Sequence, residues 1–300
     1  MGSDPSRVGR STPVPTGSYK LHRRPGHNQV VTNDGYQGLC VIDPRVGVEV
    51  TVVPFTDNYD SSGVITEWCF KHDGSAVVVL NEESRTGSYL SLVGGQSYDV
   101  GVPFNPAVDI CYTWEGDSFW VSPGRYSPLF RLSWNDGLPC FIESSGAEAR
   151  RHETSWHRAM SLLPRQSVVS RVEPDFERLL YHDYGAHGHV GVIDWSQLSG
   201  ERLRGPSWSV PFSGEVPQLA YAGEKIFILN DYEIIAVNKI GDVVSRYSAD
   251  EGFDFSDLDV VFDQDGKGAL LAALETSLGS PRRTRMWLLP VDRTEDAAER

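Results

Sequence analysis

One stretch, residues 64–104, constrains the fold of this chain most, because it holds four short apolar runs separated by tight turns. The first turn contains Asp73-Gly74 and the third contains Gly94-Gly95, which are residue pairs typical of hairpins. The apolar runs cover residues 64–70, 76–80, 89–93 and 98–104. This pattern predicts four antiparallel strands joined in one meander.

The same pattern recurs along the chain, with about 40 to 60 residues between successive first turns, as in propeller repeats. The six predicted units cover residues 19–55, 64–104, 107–142, about 166–212, 216–249 and 258–293. A four-stranded sheet with two apolar faces buries both only by packing between neighbours around an axis. The sequence therefore predicts an all-β, single-domain propeller of six four-stranded antiparallel blades over residues 1–300, with flexible tails at 1–6 and 294–300.

Closure of the ring needs a further strand, because the sixth unit holds only three clear ones before a charged tail. The segment around residues 7–15 is the candidate for that fourth strand. A seven-bladed ring is the alternative, but no unassigned stretch contains four further strands.

A second marker follows each first turn by about seven residues, where several second strands end in a polar pair. These pairs are Asn33-Asp34, Asn81-Glu82, His182-Asp183 and Asn230-Asp231. In the first unit, Val30-Val31-Thr32-Asn33, Val41-Ile42-Asp43-Pro44 and Val53-Pro54 resemble the YVTN-type bacterial β-propeller repeat. The resemblance implies a propeller of six to eight blades and implies neither an activity nor site residues.

One segment departs from the strand pattern. Five of its residues recur at three- and four-residue steps: Ala149, His152, Trp156, Met160 and Leu163. This spacing predicts a short amphipathic helix over residues 147–163. In a propeller, the connections between blades and the hairpins between second and third strands share one face, here called the top face, so the helix is expected at its rim.

The composition of the chain limits the classes of partner and the cellular location that can be expected. The net charge is −14, which disfavours nucleic acid because phosphate backbones need a basic surface. No apolar run approaches the roughly 20 residues of a membrane span, and residues 1–24 do not read as a secretory signal. The four cysteines are far apart in sequence, which favours free thiols and a cytoplasmic location.

Three carboxylates occupy one repeat position, seven residues before the turn glycine: Glu67, Asp109 and Asp259. Gathered at one channel mouth, they would repel each other, and a divalent cation such as Ca²⁺ or Mg²⁺ would relieve the repulsion. Six-bladed calcium-dependent lactonases and phosphotriesterases use acidic ligands there, and this chain is similar to them in layout only. Alternatively, the carboxylates bond neighbouring backbone amides or line a wet channel.

Cys69 and Cys111 lie two residues after Glu67 and Asp109 in their strands. A mixed thiolate–carboxylate zinc site is one interpretation of this spacing. Packing of small apolar side chains between blades is the other.

Polar side chains suited to acid/base work concentrate in two places. The hairpin at 181–189 offers His182 as a general base, with Asp183 and His187 beside it, and Asn230 ends the equivalent strand of the next unit. His187 and His189 also have the strand spacing that suits a transition metal. The predicted helix offers basic and aromatic lid residues: Arg150, Arg151, His152, Trp156, His157 and Arg158. A flexible surface hairpin and a solvated helix are the structural alternatives.

These patterns favour a small-molecule enzyme of hydrolase, lyase or cyclase type, acting in the channel beneath the helix. Its predicted catalytic residues are Glu67, Asp109, His182, His152 and His157, and its predicted ligand contacts are Arg150, Arg151, Trp156, Arg158, Asp183, His187 and Asn230. The alternative is a non-catalytic propeller that binds a protein or peptide partner on the same top face. A continuous exposed apolar surface would favour that second interpretation.

Overall fold

A computed structural model describes the strands and most of the tight turns of the chain. The described residues are 10–34, 38–43, 47–54, 65–81, 86–102, 109–113, 118–122, 130–143, 167–172, 178–183, 188–194, 208–212, 218–230, 232–262 and 269–291. Within these ranges every regular element is a β-strand, which confirms the all-β prediction. The predicted helix at 147–163 and the predicted tails at 1–6 and 294–300 lie outside the described residues.

Five of the six predicted units fold as four-stranded meanders of consecutive antiparallel strands. After β1 (Arg10–Pro13), the first meander contains β2 (Leu21–Arg24), β3 (Gln29–Asp34), β4 (Gly38–Asp43) and β5 (Gly47–Pro54). The second contains β6 (Ile65–Phe70), β7 (Ala76–Asn81), β8 (Thr86–Ser91) and β9 (Gln96–Gly101). The third contains β10 (Asp109–Thr113), β11 (Ser118–Ser122), β12 (Phe130–Asn135) and β13 (Leu138–Glu143).

The second half of the chain repeats this order. The fourth meander contains β14 (Ser167–Val172), β15 (Arg178–Asp183), β16 (His189–Asp194) and β17 (Trp208–Pro211). The fifth contains β18 (Gln218–Ala222), β19 (Lys225–Asn230), β20 (Glu233–Asn238) and β21 (Val243–Ser248). The sixth sheet combines β22 (Phe253–Phe262), β23 (Ala269–Ser277) and β24 (Thr284–Pro290) with β1 from the other terminus.

The strand from the N-terminal segment lies antiparallel to β24, with Arg10 opposite Leu288 and Pro13 opposite Arg285. One further link joins two meanders: β13 and β9 meet in parallel, with Cys140 opposite Gly101, so the second and third meanders form one eight-stranded sheet.

The hydrophobic core is divided into clusters, each shared by two neighbouring sheets. Val31 and Leu39 of the first sheet, for example, pack with Trp68 and Val77 of the second. Equivalent clusters join the second sheet to the third, the fourth to the fifth, the fifth to the sixth and the sixth to the first. Such sheets are covered on both faces, which explains why the central strands read as continuous apolar runs rather than alternating ones.

First strands of neighbouring sheets contact each other. β22 contacts both β18 and β2, while β6 contacts β10 and β14 contacts β18. Each of these strands pairs with only one sheet neighbour, so its other edge carries backbone groups that need partners from outside the sheet.

Two aspartates of β22 supply such partners to β2. The Asp257 carboxylate accepts hydrogen bonds from Leu21 N at 2.7 Å and from Leu258 N at 2.8 Å. The Asp259 carboxylate accepts from Arg23 N at 2.6 Å, and both aspartates are 1% exposed. Charged hydrogen bonds of this kind stabilise a fold by about 1.5–3 kcal/mol each.

We therefore expect Asp257→Ala to lower the free energy of unfolding by about 3 kcal/mol, because it leaves a buried backbone amide without its acceptor. Chemical denaturation of the purified variant measures this loss. Exposed Glu251 provides the control, since Glu251→Gln should leave the unfolding free energy within about 0.5 kcal/mol of wild type. A similarly small change for Asp257→Ala would contradict a stabilising role for this contact.

Candidate functional site

The polar residue that ends the second strand has a structural task in the first unit. Asn33 is fully buried, and its Oδ1 accepts hydrogen bonds from Tyr19 N at 2.9 Å and Lys20 N at 3.0 Å. Its Nδ2 donates to the carbonyl of Gly17 at 3.0 Å. Asn33 thus holds the segment that enters β2 against the end of β3.

In the sixth unit, the carboxylate of Glu275 holds the segment that enters the first strand, as Asn33 does in the first unit. It is fully buried, and its Oε1 accepts from Asp250 N at 2.7 Å. Its Oε2 accepts from Arg285 Nε at 2.6 Å and from Trp287 Nε1 at 2.7 Å. Arg285 also pairs with the Asp250 carboxylate and lies 4.2 Å from the Phe253 ring centroid. This charged group is saturated by the fold's own contacts.

The fourth unit places a histidine and an aspartate at this position. His182 is 2% exposed and Asp183 is 9% exposed, at the end of β15. In the paired register Asp183 lies opposite His189, the first residue of β16. Burial lowers the pKa of His182, against the charge of Asp183, which raises it. A neutral imidazole beside a carboxylate is the pairing used by general bases.

For the other predicted site residues the structure describes the strand position of some and does not describe the rest. Asn230 is half-buried at the end of β19, opposite Glu233. Glu67 lies opposite Leu80 in the register, and Asp109 lies opposite Ser122, but their side chains are outside the description. The whole predicted lid and one hairpin histidine also lie outside the described residues: Arg150, Arg151, His152, Trp156, His157, Arg158 and His187.

The third predicted cation ligand, Asp259, has the arrangement anticipated by the structural alternative. Its Oδ2 accepts from Arg23 N, and its Oδ1 accepts from Val260 N at 2.6 Å. Among the described residues, no group of three or more His, Cys, Asp or Glu side chains is positioned to hold a metal. A cation shared by Glu67, Asp109 and Asp259 stays a prediction.

The cysteines that the structure describes are free. Cys69 is 7% exposed within the cluster between the second and third sheets, and its Sγ lies 3.6 Å from the Phe70 carbonyl. That environment matches the packing interpretation for Cys69, while the side chain of Cys111 is not described. Burial, with a smaller contribution from the charge of Asp34, raises the pKa of the Cys40 thiol to about 12. The Cys40 thiol is therefore protonated at neutral pH.

An aromatic surface that the sequence did not predict lies at the junction of the second and third meanders. We define it by Tyr89 on β8, Tyr98 on β9 and Trp134 on β12. The Trp134 ring centroid is 5.2 Å from Tyr89 and 5.4 Å from Tyr98, both edge-to-face. Tyr89 also meets the buried Phe119 ring at 6.2 Å. The aromatic surface is thus anchored in the core, yet Trp134 remains 51% exposed.

The topology puts these two groups of residues at opposite ends of the sheets. His182 and Asp183 end a second strand, which places them on the top face. Trp134 directly precedes the turn between β12 and β13, and Tyr98 follows the turn between β8 and β9. Turns of this kind lie on the opposite, bottom face. The register of the hairpin around Gly94-Gly95 would have paired Tyr89 with Tyr98, but Trp134 comes from another unit and has no such sequence signal.

No protein-family model matches the chain, and no curated protein matches it in sequence. Solved structures do match its fold. The WD40 repeats of RRP9 align over 96% of this chain and 99% of theirs, with a TM-score of 0.62 and 11% identity. The β-propeller domain of Cps50 (Swd1) from Myceliophteria thermophila aligns over 92% of this chain and 89% of its own, with a TM-score of 0.46 and 12% identity. Hydrazine synthase of Kuenenia stuttgartiensis covers 93% of this chain and 80% of its own, with a TM-score of 0.43 and 14% identity.

The similarity to the RRP9 repeats shows a fold of the β-propeller kind and, at 11% identity, nothing about activity. A membrane-crossing helix is not found in the part of the chain that the structure describes.

Protonation of His182 should make stability depend on pH. Its pKa is lowered in the folded state from 6.5, so the unfolded chain takes up the proton first as the pH falls. The contribution of neutral His182 to stability is therefore complete above about pH 6.5 and is lost as the pH falls toward the folded-state value. We expect the drop in unfolding free energy between about pH 7.5 and about pH 5.5 to be smaller in His182→Gln than in wild type.

Denaturant titrations at the two pH values measure this difference. The neighbouring buried Tyr181 supplies the control, because burial raises the pKa of its hydroxyl further above this range. Tyr181→Phe should therefore keep the wild-type pH dependence. An unaltered pH dependence in His182→Gln would show that this imidazole is not held neutral by the fold.

Proposed function

We propose that this chain is a non-catalytic binding propeller whose partner docks on the aromatic surface. The observation that carries the proposal is Trp134, which is half-exposed although two tyrosine rings hold it in place. Tyrosine and tryptophan are enriched at protein interfaces, where a rigid ring buries a large area at low entropic cost. A side chain already fixed by its neighbours loses little further freedom when a partner covers it.

The chemistry of the surface indicates the kind of partner. Its rings stand edge-to-face. Surfaces lined by aromatic side chains are the type that receives extended proline-rich segments. Exposed Asp99 follows Tyr98 in β9, and exposed Asp136 lies in the turn after Trp134. The chain as a whole has a net charge of −14. We infer a partner that offers an extended, proline-containing segment flanked by basic residues.

A short Pro-x-x-Pro peptide with a flanking arginine tests this function by calorimetric titration. Because truncation of an interface anchor costs about 2 kcal/mol or more, Trp134→Ala should bind the peptide about 30-fold more weakly than wild type. Tyr232, which is 64% exposed and belongs to the fifth unit, is the matched aromatic control. Equal affinities of wild type and Trp134→Ala, or an equal loss in Tyr232→Ala, would exclude the aromatic surface as the docking site.

A second candidate function rests on the fourth unit. The buried His182 imidazole, kept neutral by burial next to Asp183, favours acid/base chemistry on a small molecule at the top face. In this version the enzyme is of hydrolase, lyase or cyclase type, and the helix at 147–163 covers the channel with the side chains of its predicted lid. Glu67 and Asp109 then share a divalent cation with Asp259.

The cation can be tested directly by the thermal stability of the protein. If Ca²⁺ binds the folded chain, millimolar CaCl₂ should raise the melting temperature of wild type, and Glu67→Ala and Asp109→Ala should each lose that rise. The exposed Glu251→Gln variant should retain it. The absence of any Ca²⁺ effect in wild type, with no metal found in the purified protein, would remove the cation from this second candidate.

The architecture that both functions require is part of the proposal. We infer that the six sheets close into one six-bladed ring of a single domain, with the third sheet meeting the fourth and β1 completing the last blade. Five of the six pairs of neighbouring sheets share an apolar cluster among the described residues, which supports this closure. A relationship to YVTN-type repeats and a location in the reducing cytoplasm belong to the same proposal, the latter supported by the free thiol of Cys40.

A further inference from the structure

The first turns of the first two units pack directly against each other. Gly74 adopts a positive φ of +66°, and a Cβ added there would lie 2.3 Å from the carbonyl oxygen of Pro25. The same Cβ would approach a side-chain carbon of Arg24 and one of His27 at 3.0 Å each. Only glycine permits this contact, which brings the side chains of both turns together on the bottom face.

These side chains are mostly basic. We define the turn cluster as Arg24 and His27 from the first unit with Lys71, His72 and Asp73 from the second. Asp73 is its one carboxylate: Oδ2 lies 3.6 Å from Lys71 Nζ, while Oδ1 accepts from Ser75 N at 2.9 Å and from Ser75 Oγ at 2.5 Å. Arg24 and Lys71 outnumber the one carboxylate, so the turn cluster has a small excess of positive charge in a chain whose net charge is −14.

Arg24 is the buried member of the turn cluster, at 8% exposed. Its Nε donates to the Gly74 carbonyl at 2.8 Å, and its Nη1 donates to Gln29 Oε1 at 2.8 Å. Both acceptors are neutral groups, and in the described part of the chain no carboxylate forms an ion pair with the guanidinium, although the charge of Asp73 raises the pKa of Arg24 against the larger lowering by burial. A largely buried cation whose hydrogen-bond acceptors are neutral favours a further anion beside it.

The positive charge of Arg24 also affects the pKa of the neighbouring His27. Partial removal from water and the Arg24 guanidinium both lower the pKa of His27. The charge of Asp73 and a hydrogen bond from the ring to the Asp73 backbone raise the pKa of His27, but do not offset that decrease. An anion placed between Arg24 and His27 would reverse the effect of the guanidinium.

We propose that the turn cluster binds a dianionic phosphomonoester group. The guanidinium of Arg24 supplies the remaining N–H donors of its planar fork to phosphate oxygens, and Lys71 supplies a further cationic donor. His27 lies beside the guanidinium and can take up a proton as the dianion arrives, so that the site gains positive charge to match it. A monoanionic carboxylate would be satisfied by Arg24 and Lys71 alone and would make less use of His27.

The proposal is independent of the binding function inferred for the aromatic surface. The phosphomonoester has two possible sources, a small metabolite or a phosphorylated side chain, and both present the same dianion. Inorganic phosphate, glycerol 3-phosphate and a short phosphoserine peptide are therefore separate arms of the test, each titrated at constant ionic strength with chloride as the balancing anion.

Binding is followed by calorimetry and by NMR of the histidine side chains. Each of the three phosphate compounds should bind wild type saturably at fixed ionic strength, and saturating inorganic phosphate should raise the pKa of His27. Arg24→Gln should weaken phosphate binding by at least about tenfold, as expected for the loss of a charged hydrogen-bond donor. Because Arg24 also holds the two turns together, Lys71→Gln and His27→Gln serve as second variants that leave the Gly74 contact in place, and each should weaken binding severalfold.

Arg246 is the matched control, since it is an exposed arginine paired with Glu233 in the fifth unit. Arg246→Gln should bind phosphate as wild type does. Similar affinities for the three phosphate compounds would support a site for the group itself, and tighter binding of the phosphoserine peptide would support the same site with a protein source. No saturable phosphate binding, an unchanged His27 pKa, or an equal loss of binding in Arg246→Gln would overturn the proposal.

Discussion

The unpaired edge of each first strand is the constraint on which this structure depends. A four-stranded meander leaves two edges, and the unpaired edges of β2 and β22 are buried against each other. Asp257 and Asp259 of the sixth sheet supply the missing acceptors, because their carboxylates accept hydrogen bonds from backbone N–H groups of β2. Apolar clusters hold the sheets face to face, but they are non-directional, whereas these carboxylates fix the height at which β22 lies against β2.

Much of this architecture could be predicted from the sequence, because strand period, turn chemistry and repeat spacing are local signals. The strands of the second unit fall within a few residues of the apolar runs, and the polar pair at Asn33 ends β3 as expected. The role of Asp259 could not be predicted from the sequence. Repeat position alone grouped it with Glu67 and Asp109, and only the placement of β2 beside β22 reveals that its oxygens accept backbone hydrogen bonds.

The aromatic surface and the turn cluster could not be predicted from the sequence either, because both depend on contacts between units. Trp134 of the third unit meets Tyr98 of the second, and Arg24 of the first unit meets Gly74 of the second. Neither contact has a period or a motif, because each depends on how sheets stack rather than on how one sheet folds. By contrast, His182-Asp183 stood out in the sequence because both side chains come from one strand end.

The bottom face therefore carries two features that differ in physical character from the rest of the molecule. The aromatic surface and the turn cluster both lie at turns between consecutive strands of single sheets, where side chains project past the sheet ends. The turn cluster also fixes the first two sheets relative to each other through the Arg24–Gly74 contact. A ligand that neutralises Arg24 would consequently bind a contact between sheets, so its binding free energy would add to the stability of that junction. The buried guanidinium of Arg24 would then both bind the ligand and hold the first two sheets together.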